Sequence, residues 1–264
     1  MHYLMVDHFY PKAKSLRQVF DRNFAQPLHT HAGRFVWDFW HVPGEYTHLR
    51  TPAFHYFPKK QYEAFHRYLV NWGRVNLGCH DISPPWLSCY VEGCKQQPHQ
   101  DRPHGPLAFV FSLSRGGFAG GETFIQKPKT LIAPKFNRLT LFNPALIHGV
   151  KEVRGTMDPR HGRLVIHGWF VQPRPFWVGP LKAQDIAHGL DNGLVDLPSA
   201  LGTGLLSLTL DISRQGSVKT QKVLVNTLNG ARPAHVAQLL RRTHGLRFAP
   251  MKASTRLTLP LILA

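Results

Sequence analysis

Between residues 87 and 171 the chain is cut into short apolar runs by turns that carry Gly and Pro, and this rhythm constrains the fold more than any other feature of the sequence. The runs fall at residues 87–92, 107–114, 122–126, 138–143, 149–153 and 163–171, with the polar stretch 94–98 reading as the exit from the first. Short strands at this spacing predict a double-stranded β-helix, or jelly-roll, rather than a βαβ fold. Ends of different strands converge at the mouth of a jelly-roll, which makes it a place to gather side chains distant in sequence.

Candidates for that gathering stand at the run ends. In extended chain, residues two apart project from one face, so His99 and Asp101 can reach a single point. A third ligand from a distant strand, His148, completes one triangular face of an octahedral metal and leaves the opposite positions open. Two neutral imidazoles and one carboxylate with open positions form the ligand set of non-haem Fe(II) oxygenases. A lone His-x-Asp proves little, because with 17 histidines in the chain chance supplies roughly 0.6 such triplets.

The surroundings are more specific. Tyr90, Gly93, Gln96, His99 and Asp101, then the apolar run from Leu107 to Leu113, Gly120-Gly-Glu-Thr-Phe124, His148-Gly149 with Val153 and Gly155, and Arg163 with Trp169 follow one register. This register resembles the prolyl-hydroxylase-like branch of the Fe(II)/2-oxoglutarate dioxygenases over about eighty residues. The resemblance implies His99, Asp101 and His148 as metal ligands and catalytic centre, with 2-oxoglutarate chelating the metal and one position left for O₂. It implies Arg163 as the clamp on the distal carboxylate, a task that suits a planar guanidinium. Tyr90, Gln96 and His167 are the further candidates for cosubstrate contact. Gln96 stands where many relatives carry Tyr. Arg163 lies fifteen residues past His148, beyond an inserted turn at 155–162, and Arg160 is its alternative.

The implied reaction hydroxylates a C–H bond, most naturally of an amino-acid side chain in a peptide or protein, with release of succinate and CO₂ and with ascorbate as a supporting reductant. A small-molecule substrate stays open. A nucleic-acid dealkylating dioxygenase is one alternative, although its second Arg is replaced here by Trp169. A non-enzymatic jelly-roll binding protein and a metal enzyme that does not use 2-oxoglutarate are the others. Ser112, Ser114 and Arg138 either touch the cosubstrate or simply lie on strands, and His104 reads as a loop residue at the substrate mouth.

Length and composition frame these readings. At 264 residues and 43% apolar, the chain can hold one large domain with an appendage. We expect a dioxygenase domain at 1–179, with helical support over 1–86 and the jelly-roll core at 87–172, followed by a small α+β module at 180–264. The β-β-α-β order of that module faintly resembles the carboxy-terminal module of TonB-like proteins and suggests dimerisation, partner docking or sheet extension. The net charge of +17 draws anionic partners, nucleic acid and 2-oxoglutarate among them. Three cysteines without Cys-x-x-Cys spacing argue against a disulfide framework and a zinc site. With no long apolar segment and no signal-like start, the expectation is a cytoplasmic protein off the membrane.

Helical spacing predicts helices over 11–24 and from Lys59 to about Leu77, the second bracing the major sheet through Tyr62, Phe65, Leu69 and Trp72. A strand is expected at 35–40. The histidines at 29, 31, 41, 48 and 55 lack paired ligand spacing and read as surface or substrate-rim groups.

Overall fold

The computed structural model describes residues 3–25, 37–194 and 202–263. They fall into two compact units, residues 3–69 with 82–170, and residues 70–81 with 171–264. In chain order the first part forms β1 (Tyr3–Val6), α1 (Ala13–Ala25), β2 (Asp38–Val42), β3 (Tyr46–Pro52), α2 (Ala53–Tyr56), α3 (Lys59–Leu77) and β4 (Cys79–Ile82). The core strands follow as β5 (Trp86–Tyr90), β6 (Lys95–His99), β7 (Leu107–Ser112), β8 (Thr123–Ile125), β9 (Thr130–Ile132), β10 (Arg138–Phe142), β11 (His148–Val150) and β12 (Arg163–Pro173).

These strands make the expected jelly-roll, mainly antiparallel β with few helices. The sheet runs β1-β10-β7-β12-β5-β3-β6-β11-β8-β9, and β3 is its fold line. One edge of β3 pairs with β5 through Leu49 to Pro52 and with β6 through Tyr46 and Thr47, so a single strand joins two walls. Its other edge pairs with β2. Between β5 and β6 the chain reverses at Gly93, whose φ of +77° favours a residue without Cβ.

Alternation along β12 sorts its side chains. Leu164, Ile166 and Phe170 are buried on one face, while Arg163, Val165, His167 and Trp169 line a cavity on the other. Behind the outer face stand α1 and the start of α3. Helix α1 buries Leu16, Val19 and Phe20, and Phe65 of α3 lies 5.1 Å from the Phe111 ring. Fully buried Arg17 is compatible with this core because its guanidinium donates to Asp21 (2.8 Å), to the Leu113 carbonyl (2.9 Å) and to the Arg160 carbonyl.

The polar stretch 94–98 is not a strand exit, since Lys95–His99 is strand β6. Strands β3, β4 and β9 were not anticipated. Of the strand expected at 35–40, Asp38 onward belongs to β2, and Phe35 and Val36 lie outside the described residues, as do His29 and His31.

The smaller unit contains β13 (Phe176–Val178), α4 (Ala183–Gly193), β14 (Gly204–Ile212), β15 (Val218–Asn226), α5 (Pro233–His244) and β16 (Thr255–Leu263). Its antiparallel sheet runs β13-β16-β14-β15, and Leu206, Leu208, Leu210, Leu257 and Leu259 share a core with Ile186 of α4 and Leu239 of α5. Helix α4 was missed because two glycines and Asp191-Asn192 lower its helix propensity. One of those glycines is used in packing: a Cβ on Gly189 would come within 2.7 Å of the Phe248 ring.

The end of α3 belongs to this smaller unit. Thr258 donates to the Val75 carbonyl (2.8 Å) and Ser207 to the Leu77 carbonyl (3.0 Å), which satisfies acceptors that a helix C-terminus leaves open. Gly78 ends the helix at φ +70°, and a Cβ there would meet the Pro260 ring at 2.6 Å. Among the described residues no helix is long and apolar enough to cross a membrane.

Candidate metal centre

The cavity inside the jelly-roll mouth, about 170 Å³, is built from strand ends. His99 closes β6 and His148 opens β11, and the two face each other across the antiparallel pair with ring centroids 4.4 Å apart. Asp101 follows β6 and precedes a short 3-10 turn at Arg102–His104. The segment is stitched down by the Asp101 amide on the Pro144 carbonyl (2.8 Å) and by Gln100 Nε2 on the Ala145 carbonyl (2.7 Å).

Asp101 reaches both rings. Its Oδ1 lies 3.7 Å from His99 Nε2 and its Oδ2 lies 3.4 Å from His148 Nε2. The ligand atoms of the three residues all lie within 4.8 Å of one another. Adjacent ligands on an octahedral ion with bonds of about 2.1 Å sit about 3 Å apart, so small side-chain movements bring this set onto one ion. The tautomers also suit a metal. His99 Nδ1 stands 2.8 Å from the Gln97 carbonyl and His148 Nδ1 stands 2.8 Å from the Leu146 carbonyl. A carbonyl can only accept, so both Nδ1 atoms carry a proton, and the Nε2 atoms that face Asp101 are the metal-binding positions.

Electrostatics favour an ionised Asp101 and disfavour charge on His99. Burial, followed by the neighbouring His148, lowers the His99 pKa. Burial alone would raise the carboxyl of Asp101, but the hydrogen bond and charge of His148 and the charge of His99 outweigh it and keep Asp101 below its ordinary value. Neutral imidazoles and an ionised carboxylate are the forms that bind a divalent ion.

Opposite this trio lies a cation. Arg163 is 2% exposed and donates from Nη2 to Thr123 Oγ1 at 3.2 Å, with its guanidinium 4.6 Å from the Tyr90 ring centroid. Its Nε and Nη1 are buried and have no hydrogen-bond partner. A buried guanidinium with two orphaned donors is costly unless an anion enters the cavity to meet them. Arg160, by contrast, is half-buried and paired with Asp158 at 2.7 Å.

Tyr90, Gln96 and His167 also line the cavity. Gln96 Nε2 lies 3.2 Å from His99 Nε2, and His167 Nε2 lies 2.8 Å from Ser88 Oγ. Burial, reinforced by His48 and by Arg163 and Arg50, pushes the His167 pKa down to about 3. His104 packs against Trp169 in the cavity lining, with ring centroids 4.3 Å apart and planes tilted by 33°. Of the weaker candidates, Arg138 is engaged with Asp7 at 2.6 Å, and the Ser114 hydroxyl donates to the Leu164 carbonyl; neither these residues nor Ser112 lines the cavity.

Two residues of β3 were misjudged or overlooked. His48 is not a rim group: it is 3% exposed and stacks on Tyr90 at 4.9 Å and 19°. Burial and the charges of Arg50 and Arg163 take its pKa to about 3. Arg50, overlooked altogether, lines the cavity. The signal for both lay in the alternation of Tyr46, His48 and Arg50, which marks a strand with a polar inner face.

Residues 85–171 match the family model described as the 2OG-Fe(II) oxygenase superfamily, and the matched segment contains His99, Asp101, His148 and Arg163. No curated protein matches the chain in sequence. Among solved structures, a prolyl-4-hydroxylase from Pseudomonas putida is similar at a TM-score of 0.47 and 17% identity, covering 65% of this chain and 92% of that one. A prolyl hydroxylase from Trichoplax adhaerens, solved with a hypoxia-inducible-factor peptide, is similar at a TM-score of 0.48 and 15% identity, covering 64% of this chain and 83% of that one.

Proposed function

We propose that this chain, whose residues 85–171 match the 2OG-Fe(II) oxygenase family model, is a 2-oxoglutarate-dependent Fe(II) dioxygenase that hydroxylates a C–H bond of an amino-acid side chain in a peptide or protein. The observation that carries the reading is the pairing of a His-Asp-His cluster with a buried, under-bonded arginine in one cavity. His99, Asp101 and His148 would hold the ferrous ion, and Arg163 would take the far carboxylate of 2-oxoglutarate through Nε and Nη1. Together, Fe(II), 2-oxoglutarate and O₂ supply oxidative decarboxylation to succinate and CO₂ and the oxidation of the substrate C–H bond.

The chain's own residues set the conditions for that chemistry. Carbonyl groups at 97 and 146 fix the imidazoles as Nδ1–H tautomers. Val110, Phe142 and Val165 give the cavity apolar walls, which strengthens every charge interaction inside it. Tyr90, stacked between His48 and Arg163, orients the clamp. A hydroxylase also has to hold the substrate's C–H bond near the metal it would bind, and Trp86, His104 and Trp169, which line the same cavity, would supply the aromatic surface for that.

Anaerobic reconstitution with Fe(II) and 2-oxoglutarate tests the assignment. The expected result is a weak visible charge-transfer band, followed by succinate when air is admitted, both absent in His99→Ala. A colourless and inactive wild-type protein would overturn it. Mass shifts of +16 in candidate peptides then identify the substrate.

A further inference from the structure

The cavity contains a second cation that the cosubstrate assignment does not use. Arg50 projects into it from β3, on the opposite side of β5 from Arg163: Arg50 pairs with Ser88 and Arg163 with Tyr90. Two strand spacings across and two residues along place the two Cα atoms about 12 Å apart. The guanidinium of Arg50 lies 3.3 Å from the Trp40 ring centroid and 4.2 Å from that of Trp86. Two indole faces fix its plane and leave its N–H edges as the groups free to bond.

Those edges have little to bond to. Its Nε is buried without a hydrogen-bond partner, and Asp38, which stands opposite it in the β2–β3 ladder and is the nearest carboxylate to act on its charge, forms no ion pair with it. A surface arginine in this condition would be unremarkable. Here the group is held rigid by two tryptophans in the wall of a cavity that also contains His99, Asp101 and His148.

Resting on the dioxygenase reading, we propose that Arg50 is a specificity-determining residue that binds a carboxylate of the primary substrate, so that this enzyme oxidises a molecule carrying a carboxylate close to the reacting carbon. Arg163 answers one anion and Arg50 a second. Trp86 and Trp169 line the same cavity as Arg50 and the three candidate ligands and suit the apolar part of an amino-acid residue. The carboxylate is either the α-carboxylate of a free or C-terminal residue or the side chain of an acidic one, and both present the same fork-matching geometry.

The test uses the full chain with Fe(II), 2-oxoglutarate and air, and reads succinate formed above the rate without additive. Two probe sets are compared: the twenty N-acetyl amino acids with free α-carboxylates, and their N-methylamides, in which only the Asp and Glu members keep a carboxylate. The expected result is stimulation by members that carry a carboxylate, with none by the uncharged amides. In Arg50→Gln the half-saturating concentration of the stimulating probe rises at least tenfold, while that of 2-oxoglutarate moves less than twofold. Stimulation confined to the N-acetyl acids assigns an α-carboxylate, and stimulation by the Asp or Glu amide assigns a side chain. Equal stimulation by uncharged amides, no stimulation by any carboxylate, or a change in Arg50→Gln that falls on 2-oxoglutarate instead would each overturn the inference. The acid-against-amide comparison is made on the wild type and decides even if Arg50→Gln does not fold. A wild type that forms neither the chelate band nor succinate removes the dioxygenase reading together with the inference, whereas a chelate band without carboxylate selectivity removes the inference alone.

Discussion

His148 stands directly across the β6–β11 ladder from His99, so backbone pairing, rather than side-chain reach, brings the two imidazoles to one point. Asp101 then needs only the two residues beyond the ladder to bridge their Nε2 atoms. The geometry of the candidate centre is therefore a property of strand register, and a change of register disturbs it as surely as a change of ligand.

Replacing a proposed ligand gives the simplest expectation. His99→Ala, Asp101→Ala and His148→Ala each lower iron retained after gel filtration to trace levels and reduce succinate formation at least a hundredfold, while far-ultraviolet circular dichroism is unchanged. Iron content close to wild type in any one of them would show that residue not to be a ligand.

Gly149 offers a test that touches no ligand. A Cβ there would lie 2.5 Å from the Gln96 carbonyl oxygen and 2.6 Å from Phe124, so Gly149→Ala must push β11 away from β6 or β8. We expect iron affinity to fall at least tenfold and thermal stability to fall by about 2 kcal/mol, the scale of overpacking in a filled core. Iron titration and a urea melt on the same sample separate the two effects.

Arg163→Met has consequences of opposite sign for binding and stability. It removes a buried charge whose Nε and Nη1 lack partners, and substituting a hydrophobic residue for such a group can stabilise by roughly 1–4 kcal/mol. The melting temperature without 2-oxoglutarate should then rise by about 3 °C or more. Added 2-oxoglutarate should no longer shift it, and the KM for 2-oxoglutarate should rise at least a hundredfold. A variant that melts lower but still responds to 2-oxoglutarate would contradict the role proposed for this side chain.

The positions of these groups were legible in the sequence to different degrees, for physical reasons. The spacing of Tyr90, Gly93, His99 and Asp101 was readable because one turn and one strand end fix it. Arg163, His167 and Trp169 were readable together because apolar neighbours reveal the alternation of β12. Strand β3 was hidden because Tyr46, His48 and Arg50 are polar or half-polar residues facing inward, the reverse of the pattern by which strands are recognised. Strand β6 was hidden for a similar reason: Lys95-Gln-Gln-Pro-His99 owes its conformation to its partners and not to its own propensities. Amphipathic spacing in α3 announced a buried face, but it does not say which elements cover that face.

Acid should destabilise the protein through His48 and His167. Burial is the leading cause that lowers both pKa values to about 3, against about 6.5 in an unfolded chain. The unfolded state binds these protons first, so stability is fully present above pH 6.5 and is lost as pH falls from there towards 3. Between pH 7.5 and pH 5 each histidine costs about 2 kcal/mol. Urea midpoints across this range should fall accordingly, and His48→Phe should reduce the loss by about 2 kcal/mol. An unchanged slope would mean that His48 gains a proton in the folded state at the same pH as in the unfolded chain.

The division of residues into 70–81 with 171–264 bears on how the chain is made. Val75 and Leu77 emerge from the ribosome well before Ser207 and Thr258, the residues whose hydroxyls bond their carbonyls. At about 5–20 residues per second, that interval lasts on the order of ten seconds or more. Until then an apolar helix end waits without its cover, and synthesis of the last strand, Thr255–Leu263, decides when the smaller unit can close. Premature termination just before that strand therefore removes much more than nine residues' worth of order, and such products are natural clients for chaperones.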